Sequence, residues 1–346
     1  MSFFRKKTLE SIRESSANSG LSKTLTAFDL VLLGLGAIIG SGIFVLTGLV
    51  AAQHSGPAVT VSYAIAGLTC VFVALAYTEL ASMIPTSGSV YTYTFVTFGE
   101  VIAWLMGGVL ILELGFGAAA VSSAWSSYVQ GVLDSAGIHL PVLLSTDYTH
   151  GGLVNLPAIF ITAIVCGILY RGTKDSKKMN AILVFIKMAA VTAFIIASLP
   201  HFDLKNWENF TPHGFDDVLV GSSILFFAFT GFGALATSAE ECKNPQRDLL
   251  IGVVGSLVLS TLVYIAVGAL ATGIVPYYEL DNAQPLATAL KLNGSNMGAI
   301  IVATGGICGM TTVIMMNIFA QSRIFYVMSR DGLLPQTFSR LSLIHI

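Results

Sequence analysis

Polar and apolar residues come in blocks along most of this chain. Apolar runs near 28–50, 57–84, 99–131, 153–170, 178–199, 215–240, 249–275 and 296–326 alternate with short segments that hold most of the charges. About 20 predominantly apolar residues cross the hydrocarbon of a bilayer as a helix. Each run therefore predicts a membrane helix, and the chain reads as an all-α polytopic membrane protein with eight spans in a lipid bilayer.

The basic residues give these blocks a direction. With the first tail in the cytoplasm and the sides alternating, fourteen of the 17 Lys and Arg fall inside. Lys205 and Lys291 fall outside, and Lys187 falls within a span. Cytoplasmic loops carry the excess of Lys and Arg, which predicts a plasma-membrane protein with a cytoplasmic N-terminus. Composition agrees: 10% of residues are charged, against about 25% in soluble domains, and mean hydropathy is +0.79.

Several chemistries drop out. Cys70, Cys166, Cys242 and Cys308 are scattered without a C-x-x-C pair, so neither zinc nor a disulfide framework is expected. All six histidines lie outside the spans or, for His54, at an edge, and H-E-x-x-H is missing, which argues against an intramembrane hydrolase. No G-K-[ST] follows the glycine-rich stretch, so it is not a phosphate loop. The net charge of −2 says nothing about partners, and no nucleic acid partner is expected.

The starts of spans 1, 2 and 3 precede those of spans 6, 7 and 8 by about 190 residues. Five spans separate each pair, so a second copy would enter from the opposite side, as in the inverted repeats of secondary transporters. The expected organisation is a tail over 1–27, a first repeat over 28–199 and an incomplete second repeat over 215–340, with helices 9 onward missing. The last six residues, 341–346, read "LSLIHI", the translation of CTG-TCT-CTT-ATA-CAC-ATC. That DNA matches a transposon end used in preparing sequencing libraries, so an artefactual tail is expected there.

Within the first run, Gly34, Gly36, Gly40 and Gly42 fall in nine positions, and each glycine costs a helix roughly 1 kcal/mol relative to alanine. A packing face of the small-x-x-x-small kind is one reading. The other is a break in mid-membrane, tolerated where backbone lines a cavity. A break would expose amides near Ser41, Gly42 and Ile43 that suit a carboxylate, and carbonyls near Ile38 and Ile39 that suit an ammonium group. The run 222–248 repeats the theme, with Thr230-Gly231-Phe232-Gly233 interrupting an aromatic stretch. Interruptions at corresponding places in both halves point to a transporter site, with Phe226, Phe227 and Phe229 as pocket walls and nearby carbonyls facing the substrate.

These residues carry a resemblance. Residues 36–44 (GAIIGSGIF), 77–93 (YTELASMIPTSGSVYTY), 226–232 (FFAFTGF) and 239–248 (AEECKNPQRD) resemble the amino acid–polyamine–organocation superfamily, in particular its cationic amino acid transporter group, from about residue 22 to 340. The resemblance implies a LeuT-type fold of inverted five-helix repeats. Helices 1 and 6 would be discontinuous, holding an amino acid substrate at Ile38, Ile39, Gly40, Ser41, Gly42, Ile43, Phe226, Phe227, Ala228, Phe229 and Gly231.

Lys187 lies roughly 12 Å into its span at 1.5 Å per residue, where a charge costs about 2.5–3.5 kcal/mol even on the lenient insertion scale. It is expected to gain and lose a proton during transport. The resemblance adds that a lysine here fills the place where relatives bind sodium, so the proton is the expected coupling ion and no sodium or other cofactor is expected. Glu113 either lines the substrate cavity, attracts a cationic side chain or takes part in proton movement, or it is a protonated or paired carboxyl facing another helix. Glu79 is expected at the inner gate, and Asp29 at the membrane interface or at a helix N-cap.

The expected function is that of an amino acid permease, not an enzyme, taking up small neutral amino acids with protons by alternating access. The alternatives are a transporter or exchanger of Lys, Arg or ornithine and, from another class, a non-transporting amino acid sensor.

Overall fold

A computed structural model of the chain describes residue 6 and residues 24–84, 88–148, 151–170 and 173–338. Most of the tail over 1–27 and all of 341–346 lie outside the described residues.

Thirteen α-helical segments form among the described residues. They are α1 (Ala27–Ile38), α2 (Thr47–Val50), α3 (Val59–Met83), α4 (Ser89–Phe98), α5 (Glu100–Ser135), α6 (Val142–Ser145) and α7 (Leu156–Tyr170). After these come α8 (Thr173–Ser198), α9 (Phe215–Phe226), α10 (Phe232–Ala236), α11 (Pro245–Ile274), α12 (Pro285–Leu292) and α13 (Asn296–Arg330). This corrects the expectation of eight helices with helices 9 onward missing. Among the described residues, five stretches are long and apolar enough to cross a membrane: Gly42–Ala81, Glu100–Ser135, Lys178–His201, Pro245–Ile274 and Asn296–Arg330. Ala27–Ile38 and Leu156–Tyr170 are shorter apolar helices.

The physical reason is that apolar runs and helices do not correspond one to one. The run 28–50 is divided between α1 and a restarted helix, and the run 215–240 between α9 and α10. The end of the first run and the second run join in one helical stretch, Gly42–Ala81. That stretch doubles back at Gly56, where φ of +57° suits glycine. The Tyr63 hydroxyl donates to the Gly42 carbonyl at 3.0 Å, although a straight helix would hold the two residues about 30 Å apart.

Helix α1 starts on a capping box. Thr26 Oγ1 accepts from the Asp29 amide, while the Asp29 carboxylate accepts from the Thr26 amide at 2.9 Å and from its hydroxyl at 2.6 Å. The outer faces are greasy: Trp104, Leu105, Leu112 and Phe116 of α5 and Phe185 and Ile196 of α8 are exposed. In water such patches would drive association; in hydrocarbon they are the solvent-facing surface. On α8 the buried stripe is Asn180, Val184, Lys187, Val191, Phe194 and Ser198, a helical spacing that turns its polar members inward. Helix α1 sits against α8, α11 and α13.

Candidate functional site

Two interruptions of regular helix meet inside the bundle. Helix α1 stops at Ile38, because Ile39 is extended (φ −77°, ψ 102°), and the chain resumes helical geometry from Ser41. The first turn of a restarted helix has no intrahelical carbonyls for its N–H groups, and Ser41, Gly42 and Ile43 occupy that turn. Between α9 and α10 the backbone tightens: Phe227, Ala228, Phe229 and Phe232 each donate to the carbonyl three residues back, the 3₁₀ pattern seen where a helix is under local constraint.

Glycines let the two interruptions touch. A Cβ on Gly42 would stand 2.5 Å from that of Ala228, and one on Gly231 would run into the Ala37 carbonyl. Tyr264 of α11 spans the junction, its hydroxyl lying 2.8 Å from Ile38 O and 3.2 Å from Ala228 O. Its ring packs 5.1 Å from that of Phe229 and 5.0 Å from that of Tyr63. Other loosened carbonyls are met by tyrosines too: Tyr63 at Gly42 O, and Tyr128 of α5 at Phe44 O, 2.6 Å away.

Lys187 is fully buried. Its Nζ donates to Leu35 O (2.8 Å), Gly36 O (3.2 Å) and Ile39 O (2.7 Å), with Thr312 Oγ1 at 2.9 Å. The Thr312 hydroxyl also lies 2.8 Å from Gly36 O and 2.7 Å from Gly309 O. An ammonium has three N–H bonds to give, so four oxygens satisfy it fully. A charge taken out of water needs such partners.

The sequence-derived residues are thus brought together unevenly. Ile38, Ile39, Gly40, Gly42, Ile43, Ala228 and Phe229 are buried at the junction, with Ser41, Phe226 and Gly231 half-buried beside it. Phe227 points away and is 71% exposed. The carbonyls of Ile38 and Ile39 already accept from Tyr264 and Lys187. Glu113 is exposed on α5, within electrostatic range of Tyr77, whose ring packs against Phe232. Glu79 is exposed near the end of α3. A groove of about 490 Å³ between α5 and α7, lined by Ser122, Asn155, Thr162 and Cys166 among others, contains none of these residues.

Sequence reading missed Thr312, Tyr63, Tyr128 and Tyr264, and it missed a largely buried ion pair. Arg323 Nη2 donates to Glu241 Oε1 at 2.8 Å, with the two side chains 13% and 6% exposed. Beside it the Leu25 amide donates to Glu241 O and the Lys243 amide to Leu25 O, which ties the segment before α1 to the one after α10. Inclusion of Glu241 in the quoted 239–248 motif was the one hint available.

A family model described as "Amino acid permease" matches residues 25–345. A methylthioribose transporter of Bacillus subtilis is 42% identical over 98% of this chain and 74% of its own. The branched-chain amino acid permease BcaP of the same organism is 43% identical over 98% and 74%. The chloroplastic cationic amino acid transporter 9 of Arabidopsis thaliana is 39% identical over 95% and 59%. Among solved structures, a Na+-coupled sialic acid symporter in a substrate-bound outward-open state aligns with 97% of this chain and 76% of its own, at TM-score 0.60 and 10% identity. That likeness concerns the fold alone.

Proposed function

The chain belongs to the amino acid permease family, within the amino acid–polyamine–organocation superfamily and with a LeuT-like fold, and we propose that the junction of its two helix interruptions holds the substrate. It is a secondary-active, multi-pass membrane transporter and not an enzyme. On this reading the substrate carboxylate meets the amides of Ser41, Gly42 and Ile43, where the positive end of the restarted helix favours an anion. The ammonium group meets Ile38 O and Ala228 O, each of which keeps a second lone pair beside the Tyr264 hydroxyl.

The observation that carries this reading is the Tyr264 bridge, because one hydroxyl serves carbonyls from both interruptions. A substrate that replaced or shared that bridge would draw on both segments at once. Binding and helix geometry would then be linked, as alternating access requires.

The names of the relatives favour a cationic amino acid over the small neutral one expected from the sequence: one is a cationic amino acid transporter and neither of the others is named for a small neutral substrate. Glu113 supplies the acid, since it is exposed on α5 on the side of Tyr77 and Phe232. A branched-chain substrate is the second reading, favoured by the 43% identity with the branched-chain permease. Counterflow of labelled arginine, lysine, leucine and alanine into proteoliposomes separates them. Arginine or lysine is expected to exchange at least about tenfold faster than the others, a difference of about 1.4 kcal/mol. Exchange of leucine alone selects the second reading, and exchange of none overturns both.

Coupling to protons is assigned to Lys187. As an ammonium it draws three carbonyls of the α1 end and the Thr312 hydroxyl onto one point. As an amine it has one N–H fewer and a lone pair that only the Thr312 hydroxyl can meet. Proton occupancy then sets how firmly the end of α1 is held to α8 and α13. The tail before α1 is assigned to the cytoplasm, and the protein to the plasma membrane.

A further inference from the structure

The route by which a proton leaves Lys187 begins at a second polar group on the same helix face. Asn180 lies seven residues before Lys187 on α8, two turns away at about 10 Å of rise, in the same buried stripe. Side chains lean toward the N-terminus of their helix, so the Lys187 chain reaches back toward the turn of Asn180. Both side chains meet Gly36 of α1. Lys187 Nζ donates to its carbonyl, and a Cβ on Gly36 would stand 2.6 Å from Asn180 Oδ1.

Asn180 is 2% exposed, and its Oδ1 has no hydrogen-bond partner among the described residues. A buried polar atom left this way calls for an explanation, and an ordered water is one. Lys178, two residues earlier, is exposed, so among the described side chains of α8 Asn180 is the first buried polar one before Lys187.

Of the described ionisable groups on the elements packed against α8, Arg247 and His201 are exposed and Arg330 lies over the Tyr326 ring. Asp29 caps Thr26, Asp248 accepts from the Asn244 amide, Arg323 pairs with Glu241, and Cys166 and Lys291 are exposed. The Cys308 thiol of α13 lies within electrostatic range of Lys187, and no carboxylate among the described residues pairs with the lysine.

We propose that Asn180 is the positioning residue for the proton's exit toward the side where the chain begins. Its Oδ1 accepts a hydrogen bond from a water placed beside Gly36. An N–H bond of the Lys187 ammonium breaks, its proton forms an O–H bond to that water, and the hydronium so formed leaves past Lys178 while the lysine keeps the electron pair as an amine. This rests on the coupling role proposed for Lys187.

The test compares Asn180→Leu, Asn180→Ser, Asn180→Ala and Lys187→Met with the parent chain in proteoliposomes. Substrate counterflow, uptake driven by an imposed pH gradient, and the dependence of that uptake on pH at each face are measured. Asn180→Leu is expected to slow gradient-driven uptake at least about tenfold, to shift the pH profile at the face where the chain begins, and to leave counterflow within about twofold. Asn180→Ser is expected to recover more than about half of the driven rate. Driven uptake by Asn180→Leu within about twofold of the parent overturns the proposal. If Asn180→Leu also loses counterflow, the Ser and Ala variants decide, being close in volume and differing by one hydroxyl. Ser faster than Ala supports the relay, and equal rates overturn it. If Lys187→Met still follows the pH gradient, the coupling reading itself fails; if it does not while Asn180→Leu does, only the exit route fails.

Discussion

The ammonium of Lys187 lies 2.7 Å from the carbonyl oxygen of Ile39, the first residue beyond the end of α1. The charge on α8 is therefore held by the backbone interruption that the glycines permit, and the two features form one device. Ile39 O would otherwise be a stranded acceptor in a buried place, and Lys187 a stranded charge.

Replacing Lys187 with Met keeps the length and removes the donor. Uptake driven by a pH gradient is expected to fall to background, with substrate binding retained, as read by flux and by isothermal titration in detergent. Uptake that still tracked the imposed gradient would remove Lys187 from coupling. Thr312→Val should act in the same direction but more weakly, since three carbonyl partners survive, at a cost of about 1 kcal/mol.

Tyr264→Phe removes one oxygen and nothing else. Ile38 O and Ala228 O lose their shared donor, while the ring contacts with Phe229 and Tyr63 persist. Transport is expected to drop about tenfold, with thermal stability changed by no more than about 1–2 kcal/mol. A variant with parental flux would show that the bridge is packing detail and not part of the site.

Gly42→Ala places a methyl 2.5 Å from the Ala228 Cβ. The two segments must separate, and displacements of about 1 Å at a binding centre cost about a hundredfold in rate. The same change combined with Ala228→Gly removes the nearest atom but leaves the Ala228 Cα 2.9 Å away, and is expected to recover part of the flux. If the double variant were as impaired as the single, crowding between these residues would not be the cause.

How legible the site is in sequence depends on whether a residue breaks the rule of its surroundings. Lys187 and the glycines at 36–42 stand out because a charge and a weak helix former are both out of place in an apolar run. Tyr264 and Thr312 do not, since tyrosine and threonine are ordinary in such runs and their roles come from carbonyls 226 and 276 residues away in the chain. The same limit hides the ion pair: nothing in the sequence marks Glu241 as a carboxylate that Arg323 reaches. Fold class follows from composition. The helix count does not, because an interruption inside hydrocarbon leaves the hydropathy unbroken.

Arg323 and Glu241 supply the last prediction. Both are largely buried, and Arg323 also lies over the Phe319 ring at 5.0 Å. Removing one member of a buried pair costs about 3–5 kcal/mol because the other charge is left behind. Arg323→Ala, which takes the guanidinium away from a buried carboxylate, and Glu241→Gln, which leaves the guanidinium its aromatic partner, are therefore both expected to weaken the pairing. Cys242 reports on the outcome. It is buried next to the pairing of Leu25 with Glu241 and Lys243, its thiol 3.3 Å from Ser238 O. Loss of the ion pair should expose it to a membrane-impermeant maleimide, read site by site by mass spectrometry. Labelling of Cys242 is expected to rise several-fold in Arg323→Ala and to return toward the parental rate in the exchanged pair Arg323→Glu with Glu241→Arg. Equal labelling in all four proteins would mean that the ion pair stabilises the fold without holding this end shut.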